Sequence, residues 1–152
     1  MVKKLDENDW PDALDHVGWR LWQATQRWKR ELDEGLVAMG HPWAAEARAN
    51  VIMHVGRSGI RQSELVRRMG LSKQAVQQLL DGLVADGIVE RRPDPEDSRA
   101  RRIVFTAAGR RMLGDSNRVK KRIEDDYRSV LGEKRFRALM DMLAELNERP
   151  PD

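Results

Sequence analysis

The sequence predicts a mainly α-helical fold with one small β-hairpin, and three observations carry that prediction. Apolar residues recur every three to four positions over most of the chain. Two short helical segments are joined by the glycine-led turn Gly70-Leu71-Ser72. After Gly87 the period shifts to that of strands.

From Leu14 to Leu36 the stripe Leu14, Val17, Leu21, Trp28, Leu32 and Leu36, widened by Trp22, predicts one helix over Ala13 to Val37, closed by Gly40 and Pro42. A second helix is expected from Trp43 to His54, before the turn-rich Gly56-Arg57-Ser58-Gly59. Gln62 to Met69 reads as a third, with Leu65, Val66 and Met69 apolar and Gly70 placed for positive φ. Ser72 is a good N-cap for a fourth helix to Asp86, because its hydroxyl can accept a bond from a first-turn N–H. Ile88–Arg91 and Arg102–Phe105 suit strands, and Pro93 to Arg99, with two prolines and two aspartates, makes the turn between them. Thr106 caps a further helix, with Met112, Val119, Ile123, Tyr127 and Val130 on one side. Gly132 separates it from a last helix bearing Phe136, Leu139, Met140, Leu143 and Leu146.

Helix, helix, helix, hairpin is the order of a winged helix-turn-helix. The expected organisation is a lobe over 43–106 flanked by long helices at 10–40 and 107–148, which supply a dimer. Three long amphipathic segments exceed what the lobe needs for its own core. An intramolecular packing of the same helices is the alternative.

In the fourth helix, with Val76 at zero and 100° per residue, Leu79, Leu80 and Leu83 fall within about 60° and form the buried face. Gln74, Gln78 and Asp81 lie opposite, with Lys73 and Gln77 at the flank. Glutamine can pair bidentately with adenine, and lysine with guanine or phosphate, so Ser72, Lys73, Gln74, Gln77 and Gln78 are the candidate readers of a major groove. A plain solvated face is the other reading of the same residues.

The net charge of +3 excludes little. Its distribution says more: between Val89 and Arg111 stand seven arginines against four acidic residues, the footprint expected of a nucleic-acid surface. Arg99 sits at the hairpin tip beside Asp97, where an arginine can enter a narrow minor groove. Arg91, Arg92, Arg101 and Arg102 suit either phosphates or pairing within the fold.

Cysteine is absent, which excludes disulfides, a thiol redox sensor and Cys-ligated metal. His16, His41 and His54 have no ligand spacing, so neither metal nor cofactor is expected. No stretch approaches 18 apolar residues and the N-terminus lacks a signal-peptide core, so no membrane partner and a cytoplasmic location are expected. No nucleophile elbow, phosphate loop or paired-acid motif occurs, which argues against an enzyme.

Gln62-Ser63-Glu64-Leu65, Gly70-Leu71-Ser72, Leu83 to Arg91, Asp94-Pro95-Glu96-Asp97-Ser98-Arg99 and Phe105-Thr106-Ala107-Ala108-Gly109 resemble the MarR-type transcriptional regulators. Arg61 departs from a usual Thr or Ser cap, and Phe105 from a common leucine. The resemblance implies a ligand-responsive repressor that binds a pseudo-palindromic operator in double-stranded DNA as a homodimer. It also implies the groove role for Arg99, with Asp97 ordering the tip, and Asp97, Arg99 and Arg101 are the candidate wing residues on DNA. Family members bind small aromatic or lipophilic effectors between the dimer helices and the lobe. Here Trp19, Trp22, Trp43 and His54, with Arg20, are the candidate lining, and ordinary packing is the alternative for the tryptophans. A winged helix serving only as a protein-interaction module is the competing function.

Overall fold

In the computed structural model, which describes residues 15–148, helix α1 (Val17–Ala38) begins at His16, whose Nδ1 accepts the Trp19 N–H at 3.3 Å. Ala13, Leu14 and Trp10 lie outside the described residues. The C-terminal half of α1 packs on α5 (Ala107–Leu131): Leu36, Ala44, Val119 and Ile123 form a buried cluster, with Trp28, Leu32 and Tyr127 against it. The N-terminal half of the same stripe stays uncovered, leaving Val17, Trp19, Leu21 and Trp22 exposed.

The single helix expected over Trp43–His54 is broken into a 3-10 turn (Pro42–Ala45) and a short α2 (Ala49–Ile52), with Glu46 extended between them. On an unbroken helix Trp43 and Val55 would stand about 120° apart. The break lets both join Val51 in one core, while Ala44 turns to the α1–α5 cluster.

A short strand, β1 (Ile60–Arg61), precedes α3 (Gln62–Met69) and α4 (Lys73–Ala85). Gly70 between the helices adopts φ of 63°, the left-handed conformation that lets the chain leave α3 and re-enter α4 without steric strain. The hairpin is β2 (Val89–Pro93) and β3 (Arg101–Phe105), with Val89 opposite Phe105 and Pro93 opposite Arg101. β1 adds to the other side of β3, Ile60 opposite Ile103 and Arg61 opposite Arg102, giving a three-stranded antiparallel sheet in the order β1-β3-β2.

Leu65, Val76, Leu80, Leu83 and Ile103 are fully buried in the lobe's core. Each such side chain contributes about 1.5–3 kcal/mol by leaving water. The lobe is tied to α5 at Thr106, whose hydroxyl caps Gly109 N–H at 3.0 Å. A Cβ on Gly109 would lie 2.1 Å from the Ile88 carbonyl oxygen, so only glycine allows α5 to start this close to the end of α4. After Gly132, α6 (Glu133–Glu148) folds back on α5, burying Phe136 under the Arg128 guanidinium at 4.4 Å. No helix among the described residues is long and apolar enough to cross a membrane.

Candidate nucleic-acid interface

The N-terminus of α4 is set by Ser72, whose Oγ accepts the Ala75 N–H at 3.1 Å, so this hydroxyl acts first as a cap. Val76, Leu80 and Leu83 pin the inner face of the helix against the lobe's core. Lys73, Gln74, Gln78 and Asp81 are exposed on the outer face. Gln77 differs from that set. It is half-buried, its Oε1 accepting from Gln62 Nε2 at 2.7 Å and its Nε2 donating to Asp81 Oδ1 at 3.1 Å.

The wing is organised by a residue that the sequence placed in the turn and in the family motif but to which it gave no role of its own. The Asp94 side chain is fully enclosed, and its Oδ1 accepts from Arg61 Nη2 at 2.9 Å and from Glu96 N–H at 3.0 Å. Its Oδ2 accepts from Arg61 Nε at 2.9 Å and Arg102 Nε at 3.1 Å. The Arg61 guanidinium, the Glu96 N–H and Arg102 together hold this carboxyl well below the usual carboxylate range, against the opposing effect of burial. Arg102 also donates to the Ser58 carbonyl at 3.0 Å, tying the loop before β1 to the hairpin.

The β1–β3–β2 register explains why an acid is needed there. It sets Arg61, Arg102 and Arg92 side by side across the strands, where like charges repel unless a carboxylate lies between them. Arg61, a departure from the usual cap, makes no capping bond to α3 and serves this hub instead. The signal that could have exposed it is the pairing of β1, which two residues are too few to betray.

Beyond Asp94 the tip is closed by backbone bonds, Asp94 N–H to the Ala100 carbonyl at 3.1 Å and Ala100 N–H to that of Asp97 at 2.9 Å. Asp97 Oδ1 accepts the Arg99 N–H at 3.0 Å, an Asx-turn that fixes the backbone while the Arg99 side chain stays exposed.

The arginines left open by sequence now divide. Arg102 and Arg91 pair within the fold, Arg91 with Asp81 at 2.7 Å, and Arg92 pairs with Glu90. Among the described residues Arg99 and Arg101 carry no ion pair. Together with Lys73, Asp97, Gln62 and Ser63 they line a cleft of about 540 Å³ between the N-terminal turns of α3 and α4 and the wing.

The four residues expected to line an effector pocket are placed differently from one another. Trp19 and Trp22 stack at 5.0 Å on the exposed half of α1. Trp43 is buried in the lobe's core with Val51 and Val55, in keeping with the packing alternative for this tryptophan. His54 is half-buried after α2, and Arg20 pairs with Asp15 at 2.5 Å.

Residues 46–100, α2 to the wing tip, match the family model described as MarR family. A Bacillus subtilis (strain 168) protein described as the uncharacterized HTH-type transcriptional regulator YdgJ is 31% identical over 87 residues, 57% of this chain. The match spans about half of that relative, 53% of its length. Among solved structures, wild-type MarR from E. coli superposes with a TM-score of 0.72 at 22% identity, over 89% of this chain and 98% of that one. Transcriptional regulator Tm0710 from Thermotoga maritima gives 0.66 at 26%, over 86% and 90%. The transcriptional repressor CouR, solved on a 23-mer DNA duplex, gives 0.68 at 23%, over 88% and 94%. With the helix-turn-helix, the three-stranded wing and the flanking helices all in place, the chain shares the fold of these regulators, and its residues 46–100 are similar to the MarR family.

Proposed function

We propose that the chain is a sequence-specific regulator of transcription that binds duplex DNA as a homodimer, α4 entering the major groove and the wing the adjacent minor groove. One observation carries this reading: Lys73 on α4 and Arg99 and Arg101 on the wing open on one cleft with no ion pair among the described residues. Cations without protein partners on two adjoining elements are what a phosphate backbone would neutralise. A module that bound only proteins would not need a tip whose backbone is fixed while its arginine is left exposed.

The dimer reading rests on uncovered apolar surface. Val17, Trp19, Leu21 and Trp22 on α1 and Met140, Met142 and Leu146 on α6 are exposed in the single chain, and helices of a second copy would bury them. A single α4 and wing make few base contacts, so two copies are needed to specify a site.

Footprinting on genomic fragments tests the proposal. The expected result is a protected, roughly palindromic site with half-sites about 10 base pairs apart. The Arg99→Ala variant is expected to lose preference mainly at A·T-rich flanks, where a narrow minor groove attracts arginine. Protection that follows no sequence would overturn the reading.

A further inference from the structure

Within the DNA-binding reading just given, we propose that Gln77 reads adenine in one fixed orientation, and that Gln62 and Asp81 are the residues that fix it. The basis is a hydrogen-bonded chain across the DNA-facing side of the lobe. Gln62 of α3 donates to Gln77, Gln77 donates to Asp81, and Arg91 of β2 donates to the same Asp81 oxygen.

The orientation of the Gln77 amide follows from chemistry. An ionised carboxylate only accepts hydrogen bonds, so the Gln77 atom facing Asp81 is the nitrogen. Its carbonyl oxygen therefore faces Gln62, which must offer its own nitrogen. A glutamine amide has two N–H donors and two acceptor positions on oxygen. One of each is used inside the protein, and one of each remains.

That remainder matches a single base edge. In the major groove adenine presents the N7 acceptor beside the N6 donor, whereas guanine presents two acceptors, cytosine a donor and thymine an acceptor. Gln74 and Gln78, on the same helix, are exposed and make no side-chain hydrogen bond among the described residues. Each must give up rotamer freedom on contact, and Gln77 has already done so. Arg91 completes the arrangement, because its charge offsets that of Asp81, which alone would repel phosphates.

The test is a binding comparison on an operator set in which each base pair is varied in turn, with helical circular dichroism as a check on folding. Wild type is expected to show one position per half-site where adenine is favoured by roughly 5- to 100-fold. Gln77→Ala and Gln77→Met, the second nearly equal in length to glutamine, should erase that preference and leave the other positions unchanged. Asp81→Ala should flatten the same position to within about threefold, since an unclamped amide can flip, and Gln62→Ala should weaken the preference by less, since the carboxylate still holds the amide nitrogen. Asp81→Asn keeps an acceptor for Gln77 and should retain most of the preference, a rescue that mere loss of fold would not give. Two results overturn the inference while leaving DNA recognition intact: an operator whose preferences survive both Gln77 variants, or an adenine preference unchanged in Gln62→Ala and Asp81→Ala. A wild type without preference at any position overturns this inference and the proposed function together.

Discussion

Asp94→Ala is expected to weaken operator binding about as much as removing Arg99 itself, by roughly 1–3 kcal/mol or 5- to 150-fold, although Asp94 touches no DNA in the proposed complex. The enclosed carboxylate joins Arg61, Arg102 and the Glu96 N–H, and the tip that presents Arg99 is built on that junction. Truncation leaves two guanidiniums crowded across adjacent strands and the Glu96 N–H without its acceptor. Asp94→Asn keeps an acceptor for Glu96 but not the charge, and should fall between wild type and alanine.

The pH dependence follows from the same junction. The folded carboxyl titrates below its unfolded value of about 3.9, so its stabilisation is complete above that value and is lost as pH falls through the folded one. Protection of the Glu96 amide should therefore be flat from neutral pH down to about 5 and fail only well below the ordinary carboxylate range. Hydrogen exchange followed by NMR measures it. Unchanged affinity and unchanged Glu96 protection in Asp94→Ala would contradict this account of the wing.

Leu21→Glu is expected to raise the dimer dissociation constant at least ~100-fold, since an unpaired buried charge costs about 3–5 kcal/mol. Leu21 is exposed in the single chain, in the uncovered first half of the α1 stripe, so the lobe should fold unchanged. The proposed homodimer would have two-fold symmetry, so the substitution would enter the interface twice. Sedimentation should give monomers at micromolar concentration, and tight operator binding should disappear with them. A Leu21→Glu protein that stays dimeric would place the interface elsewhere, and a monomeric wild type would remove the dimer altogether.

Most of the lobe was legible because its signals are local. Leu65, Val66 and Met69 with Gly70 set α3 at its observed bounds, and Ser72 and Thr106 cap the helices they were expected to cap. What escaped depends on residues distant in sequence. β1 is two residues long and exists through its pairing with β3, so neither it nor the Asp94 hub could be seen from spacing. The break at Glu46 arises because Trp43 and Ala44 belong to two different cores, a demand that helical periodicity within the segment does not express. In the candidate interface the wheel set Gln77 at the flank of α4, but not in its bonds to Gln62 and Asp81. Gln62 sits on another helix, and no pattern within α4 points to it. Of the uncertain arginines, only cross-strand register could separate Arg102, held by Asp94, from Arg101, which lines the cleft.

The central claim, specific recognition of duplex DNA by α4 and the wing, is tested most directly by one titration. Affinity for the footprinted site and for a scrambled duplex of equal length is measured from 50 to 200 mM salt, conditions under which about 6–10 phosphate contacts weaken binding by 10³–10⁵. The account predicts a steep linear fall of log affinity with log salt for both duplexes, and a preference for the site of at least ~10³ that persists across the range. Equal affinity for the two duplexes, or binding indifferent to salt, would contradict it.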